Sequence, residues 1–250
     1  MPPPPNDATG TVARPRRGEA IEPGNRLLAA LPPEELDRIR PALETVHLGI
    51  REYFYEEGSP AGHVWFPHRG VVSLLNRVPE GRAVEFATVG NEGFVGVQVL
   101  LGAASMPSMA FAQIPVVASR MEAGAFRAAL GANPAFHALL LRYTMALLNQ
   151  TAQNAACNRA HPIEERCARW LLMTHDRVNR DRHFPLTQEF LVQMLGVRRA
   201  SVSVAQAMLQ KAGLIRYARG TISILDREGL EAAACPCYGV LRAEFDRLLP

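Results

Sequence analysis

From Pro134 to about Arg159 the chain runs without a glycine or an internal proline, and it carries two apolar stripes rather than one. Phe136, Leu140, Tyr143 and Leu147 follow one 4-3-4 spacing, while Leu141, Met145, Leu148, Ala152 and Ala155 follow another. At about 3.6 residues per turn, an offset of five residues sets the stripes roughly 140° apart, so this helix needs two apolar partners. The economical arrangement packs one stripe on a domain of its own chain and the other on the same helix of a second copy. A homodimer is expected; the other arrangement is a central helix in a monomeric core.

The flanks of this helix differ. Residues 1–24 are rich in Pro and Gly and poor in large apolar side chains, which predicts a disordered tail. NRLLAALPPEELDRIRPAL then reads as two short helices around its prolines. Between Val46 and Met121 the texture changes to short β-favouring runs, REYFYEEG, HVWFPHRG, VVSLLNRV, AVEFATVG, FVGVQVLL and MAFAQIPVVASRM, punctuated by glycines. Turn signals at such intervals predict an antiparallel sandwich or barrel.

On the other side, IEERCARWLLMTHDRV predicts a helix with Ile163, Cys167, Trp170, Leu171 and Val178 inward, followed by an arginine-rich turn. Next comes LTQEFLVQMLGVRRASVSVAQAML. Thr187 stands where an N-cap belongs, Leu191, Met194 and Leu195 are core candidates, and Gly196 suits a reversal that needs a positive φ. In the second helix Val202, Ala205 and Leu209 share the packed face. The exposed face then centres on Ala200, Ser203, Val204 and Ala207, flanked by Arg199, Gln206 and Gln210. Two short strands (GLIRY, TISILD) around a turn at Arg219 and a helical end complete a winged helix-turn-helix pattern.

Net charge is only +3, yet between Arg177 and Arg219 eight basic residues face two acids, which leaves the rest of the chain slightly acidic. A local basic footprint suits double-stranded DNA. Small side chains let a helix sink into the major groove, where Arg199 can reach a guanine and Ala200, Ser203, Val204 and Gln206 can meet base edges. Arg198, Ser201, Thr187 and Gln188 lie at helix starts suited to phosphates, and Arg219 sits in the wing. No run is apolar enough to span a membrane and the N-terminus lacks a signal-peptide core, so a cytoplasmic protein without membrane association is expected. Four late cysteines make no disulfide framework.

The order of these elements resembles the Crp/Fnr family of transcriptional regulators over about residues 25–235, and CNRAHPIEERCARWLLMTHDRV resembles the helix leading into that family's DNA-binding domain. The resemblance implies an α+β fold: a jelly-roll, cyclic-nucleotide-binding-like β-barrel (25–133), a dimerisation helix (134–160) and a winged helix-turn-helix (161–250). It also implies a sequence-specific, homodimeric regulator, RNA polymerase as a further partner, a small-molecule effector of unknown identity, and reorientation about Arg159 to Pro162. The family's cyclic-nucleotide binders hold the ribose with a glutamate and the phosphate with an arginine. Here GNEGFVGVQVLLG and MPSMAFAQ place Val97 after Gly96, and Ser108 before Met109, at those positions, so the pocket reads as degenerate and cyclic AMP is not the expected effector.

The alternative function is a small-ligand-binding regulatory subunit without DNA contact. No phosphate loop, nucleophile elbow or metal-hydrolase motif points to an enzyme. No cofactor and no metal is expected: no cysteine precedes Cys157, as an N-terminal iron–sulfur cluster would require, and Cys235 with Cys237 do not by themselves complete a tetrahedral site. Cys157 and His161 share a helix face and read as structural, and His47, His63 and His68 lack paired spacing.

Overall fold

The computed structural model describes residues 24–79, 81–178 and 180–249. Apart from Gly24, the tail expected over 1–24 lies outside them. In chain order the elements are α1 (Arg26–Ala29), α2 (Pro33–Ile39), β1 (Glu44–Leu48), β2 (Tyr53–Tyr55), β3 (His63–Arg77), β4 (Ala83–Val89), α3 (Val97–Leu100), β5 (Met109–Glu122), α4 (Ala123–Ala132) and α5 (Pro134–Ala160). There follow α6 (Ile163–Arg177), β6 (His183–Pro185), α7 (Gln188–Leu195), α8 (Arg199–Lys211), β7 (Ile215–Ala218), β8 (Thr221–Ile224), α9 (Arg227–Ala233) and α10 (Cys237–Leu248).

The first five strands form one antiparallel sheet ordered β1-β5-β3-β4, with β2 also paired to β5. Its hydrogen bonds do not close into a barrel, and the sheet is jelly-roll-like. HVWFPHRG and VVSLLNRV, expected as separate strands, are one strand, β3, whose register against β5 shifts repeatedly near Gly70. Gly70 has φ 92° and a Cβ there would lie 2.2 Å from the Pro115 carbonyl oxygen, so the bulge needs glycine. FVGVQVLL is not a strand: Val95 bridges Trp65, Gly96 turns at φ 104°, and Val97 opens α3.

Asn133 caps α5 by accepting from the Phe136 amide at 2.8 Å, and α5 then buries Phe136, Leu140, Tyr143 and Leu147 against the sheet domain. Phe66, Phe94, Phe126, Phe136 and Tyr143 interlock there with ring centroids 5.3 to 6.2 Å apart. The approach of Tyr143 is possible only because residue 93 is glycine, where a Cβ would stand 2.2 Å from the ring. The second stripe faces outward: Leu141, Met145, Ala152 and Ala155 are exposed, and Leu148 is 60% exposed.

The C-terminal half is docked onto the sheet. Trp170, Leu171, Phe190, Leu191 and Met194 share one apolar core with Val71, Leu75, Met109, Phe111 and Ile114. Arg177, at the end of α6, reaches Glu92 in the β4–α3 loop, its Nη2 and Nε donating to Oε1 at 2.7 and 2.9 Å, with the two side chains 8% and 10% exposed. Nη1 of Arg177 donates to Thr88 Oγ1 at 2.9 Å, and the Gly90 amide donates to the same Glu92 oxygen at 3.1 Å. Charge alone puts Arg177 in the basic footprint; its burial with a carboxylate removes it.

Beside that pair, Glu85 of β4 accepts from Trp170 Nε1 at 3.1 Å and from Ser73 Oγ at 2.6 Å. Burial pushes its carboxyl up from 4.5 to about 7, against the opposing pull of these two hydrogen bonds and of Arg177 and Arg169. A raised carboxyl pKa means that the protonated form favours the docked state. The stability it lends is full below 4.5 and is lost as pH rises through about 7. Glu85→Gln is expected to melt at the parent's temperature below pH 4.5 and above it beyond about 7; thermal melts of both proteins across that range read the difference.

Candidate nucleic-acid interface

α7 starts as its sequence predicts, with the Thr187 hydroxyl accepting from the Phe190 amide at 3.3 Å, and it stops at Gly196, whose φ of 64° caps the helix. Arg198 is extended and leads into α8, which lays Val202, Ala205 and Leu209 against α7. Arg199, Ala200, Ser203 and Ala207 point outward, and Val204 is 60% exposed. Ser203 returns its hydroxyl to the Arg199 carbonyl at 3.1 Å.

Gln206 departs from expectation. It is 2% exposed and cannot meet a base edge in this conformation, because it lies four residues after buried Val202, one helical turn along the packed face. Gln188 Nε2 donates to Gln206 Oε1 at 3.1 Å, and Arg199 Nε donates to Gln188 Oε1 at 3.2 Å. Two helices thus fix one guanidinium at the amino end of α8.

β7 and β8 pair across a two-residue turn in which Arg219 (φ 50°) and Gly220 (φ 77°) are both left-handed, the geometry of a tight hairpin. The segment expected as an arginine-rich turn contains a third strand, β6, on the other side of β8. Arg198 and Arg199 at the start of α8, Lys211 at its end, and Arg182, Arg216 and Arg219 on or beside the three-stranded sheet are all exposed, whereas Arg180, also exposed, lies within 4.0 Å of Asp176 on α6.

The four expected pocket positions do not form one lining. Gly96 and Val97 turn into α3, and Ser108 is buried with Gln98 Nε2 3.4 Å from its Oγ and 3.5 Å from the Tyr55 hydroxyl. Met109, the first residue of β5, belongs instead to the core shared with the C-terminal half, while its strand neighbour Ala110 faces the sheet's other side. Val97, Trp65, Tyr55, Val99 and Met106 fill the sheet's inner face. Chemistry appears elsewhere: Cys157, His161, Cys235 and Cys237, which the sequence presents as two separate pairs, converge with their donor atoms within 4.8 Å of one another. His47, His63 and His68 join no such cluster among the described residues.

The family profile described as a cyclic nucleotide-binding domain matches residues 45–133, and that of the Crp-like helix-turn-helix domain matches residues 165–233. Together the two segments span more than half of the chain. The chain belongs to the Crp/Fnr family. It is 26% identical over 209 residues to a CRP-like cAMP-activated global transcriptional regulator of Mycobacterium tuberculosis, an alignment covering 81% of this chain and 93% of that one. FixK2 from Bradyrhizobium japonicum shares the fold with a TM-score of 0.67 at 19% identity, covering 77% of this chain and 98% of FixK2. A CRP-family transcriptional regulator from Thermus thermophilus gives 0.63 at 24% identity, covering 75% and 95%. This Crp/Fnr-type transcriptional regulator therefore carries its DNA-binding helix-turn-helix in α7 and α8.

Proposed function

We propose that the protein acts as a homodimer that reads a pseudopalindromic site, with one α8 in each of two successive major grooves. The observation that carries this reading is the outward face of α8, small along its length and headed by the positioned Arg199 guanidinium. Arg199 is the base-reading cation, and Ala200, Ser203 and Val204 meet the groove floor. Thr187, Gln188, Arg198 and Ser201 engage phosphates, and Arg219 at the wing tip engages the flanking backbone. The outward stripe of α5 supports dimerisation, with 134–160 as the dimer helix between a sensor over 25–133 and a DNA-binding unit over 161–250. RNA polymerase is the expected further partner.

The sensor does not answer to cyclic AMP in this reading. Val97 and Ser108 supply neither a carboxylate for the ribose nor a cation for the phosphate, and a phosphate left uncompensated in a buried pocket is costly. Selection and sequencing of DNA fragments retained by the protein tests the whole: a two-fold motif should emerge, equally with and without cyclic AMP. Random fragments would refute DNA reading, and a motif that needs cyclic AMP would refute the pocket assignment.

Arg199→Ala is expected to lose about 1–3 kcal/mol of discrimination at one base of each half-site. Arg219→Ala is expected to weaken all sequences alike and to flatten the salt dependence by about 0.9 in slope for each phosphate that is no longer neutralised. Competition binding against random DNA separates the two. Leu148→Glu is expected to convert the dimer to monomer in sedimentation while leaving helix content unchanged, because it charges the outward stripe alone.

A further inference from the structure

The Cys157 and His161 side chains lie in the last turn and C-cap of α5, directly before Pro162 and α6. Cys235 and Cys237 lie 78 and 80 residues further on from Cys157, in the turn that opens α10. All three thiols are buried, 0% to 3% exposed, and His161 is half-buried at the rim. The Cys157 and Cys235 sulfurs are 3.5 Å apart, and Cys237 Sγ is 3.6 Å from His161 Nδ1. A tetrahedral ion with metal–sulfur bonds of about 2.3 Å and a metal–nitrogen bond of about 2.1 Å needs ligand atoms roughly 3.5–3.8 Å apart. We propose that Cys157, His161, Cys235 and Cys237 bind one structural Zn²⁺ ion, which staples the elbow between α5 and α6 to the start of α10.

Three features around the cluster fit an anionic metal centre. Gln153 Nε2 lies 3.0 Å from Cys237 Sγ, and Cys237 begins a helix, where backbone amides favour a thiolate. Arg166 and Arg169, both buried, stand close enough to influence the Cys157 thiol, and the Nε of each has no hydrogen-bond partner among the described residues. Three thiolates, a neutral imidazole and Zn²⁺ sum to one negative charge, which two guanidinium groups can balance.

Metal binding displaces the thiol protons to solvent. Cys167, outside the cluster, is pushed up to about 12 by burial and behaves as an inert core thiol. All four ligands lie outside the two matched family segments, 45–133 and 165–233, so neither profile assigns them a role.

The test uses the full chain without a metal-binding tag. Elemental analysis should find about one zinc per chain. After chelation, Co²⁺ should give the strong visible bands of a tetrahedral thiolate site, saturating at one equivalent, and zinc should restore the melting temperature that chelation lowers. Cys237→Ser and His161→Ala should each reduce metal content and alter the cobalt spectrum, and Cys167→Ser should leave both unchanged. The cobalt titration needs only the parent protein, so a variant that fails to fold does not decide the matter. Absence of zinc and of a cobalt thiolate spectrum, or full metal content in both ligand variants, overturns the proposal. A Cys157–Cys235 disulfide in freshly purified protein overturns it as well.

Discussion

The buried ion pair between Arg177 and Glu92 fixes the direction of α6, and almost everything in the C-terminal half is placed by that helix. Such a pair adds little net stability, because desolvating two charges offsets their attraction, but removing one partner strands the other at a cost of about 3–5 kcal/mol. Its effect is therefore geometric. Glu92 sits in a glycine-flanked loop of the sensor sheet; at Gly90 a Cβ would lie 2.5 Å from the Arg177 side chain. The loop is built for close approach. With α6 held at one end by that pair and at its middle by Trp170 on Glu85, the helix-turn-helix has a defined position relative to the sheet.

The shared core reinforces that position. Phe111 of β5 packs on Phe190 of α7 at 5.8 Å, and Arg51 stands over the same Phe190 ring at 5.2 Å while pairing with Glu189. Swinging the DNA-binding helices away would expose this surface and unpair Trp170 from Glu85, so the shared core holds the arrangement seen here.

What could be read from the sequence followed from local periodicity. The two stripes of α5, the Thr187 cap and the Gly196 reversal each depend on neighbours within a few turns, and the structure places them as expected. The length of β3 is not legible, because Gly70 reads as a strand end, whereas here it makes a bulge whose need comes from Pro115, 45 residues away. Nor is α3, because Phe94 to Leu101 is β-favouring in composition, and tertiary contacts decide otherwise. Gln206 is legible in its spacing from Val202, which already puts it inside, but its polar side chain argues for the solvent face and misleads. The thiol–imidazole cluster is not legible, because its halves are separated by the entire helix-turn-helix and meet only through the packing of α10 on α5.

The composition of α8 constrains how this chain can discriminate among sequences. Beyond Arg199 its outward face offers Ala200, Ser203, Val204, Ala207 and Met208, and the Ser203 hydroxyl is turned back to its own helix. With hydrogen-bonding capacity concentrated at one end, few base edges can be read directly. Under the proposed function, the remaining discrimination would fall to thymine methyl contacts, which apolar side chains can make, and to the shape and deformability of the duplex between half-sites. In the proposed dimer each half-site would contribute modest direct readout, and the separation of the two α8 helices would select for spacing. The rigid placement of α6 on the sheet, and the order at its elbow with α5, are then part of the recognition itself, because an error in helix position would degrade the spacing on which this surface most depends.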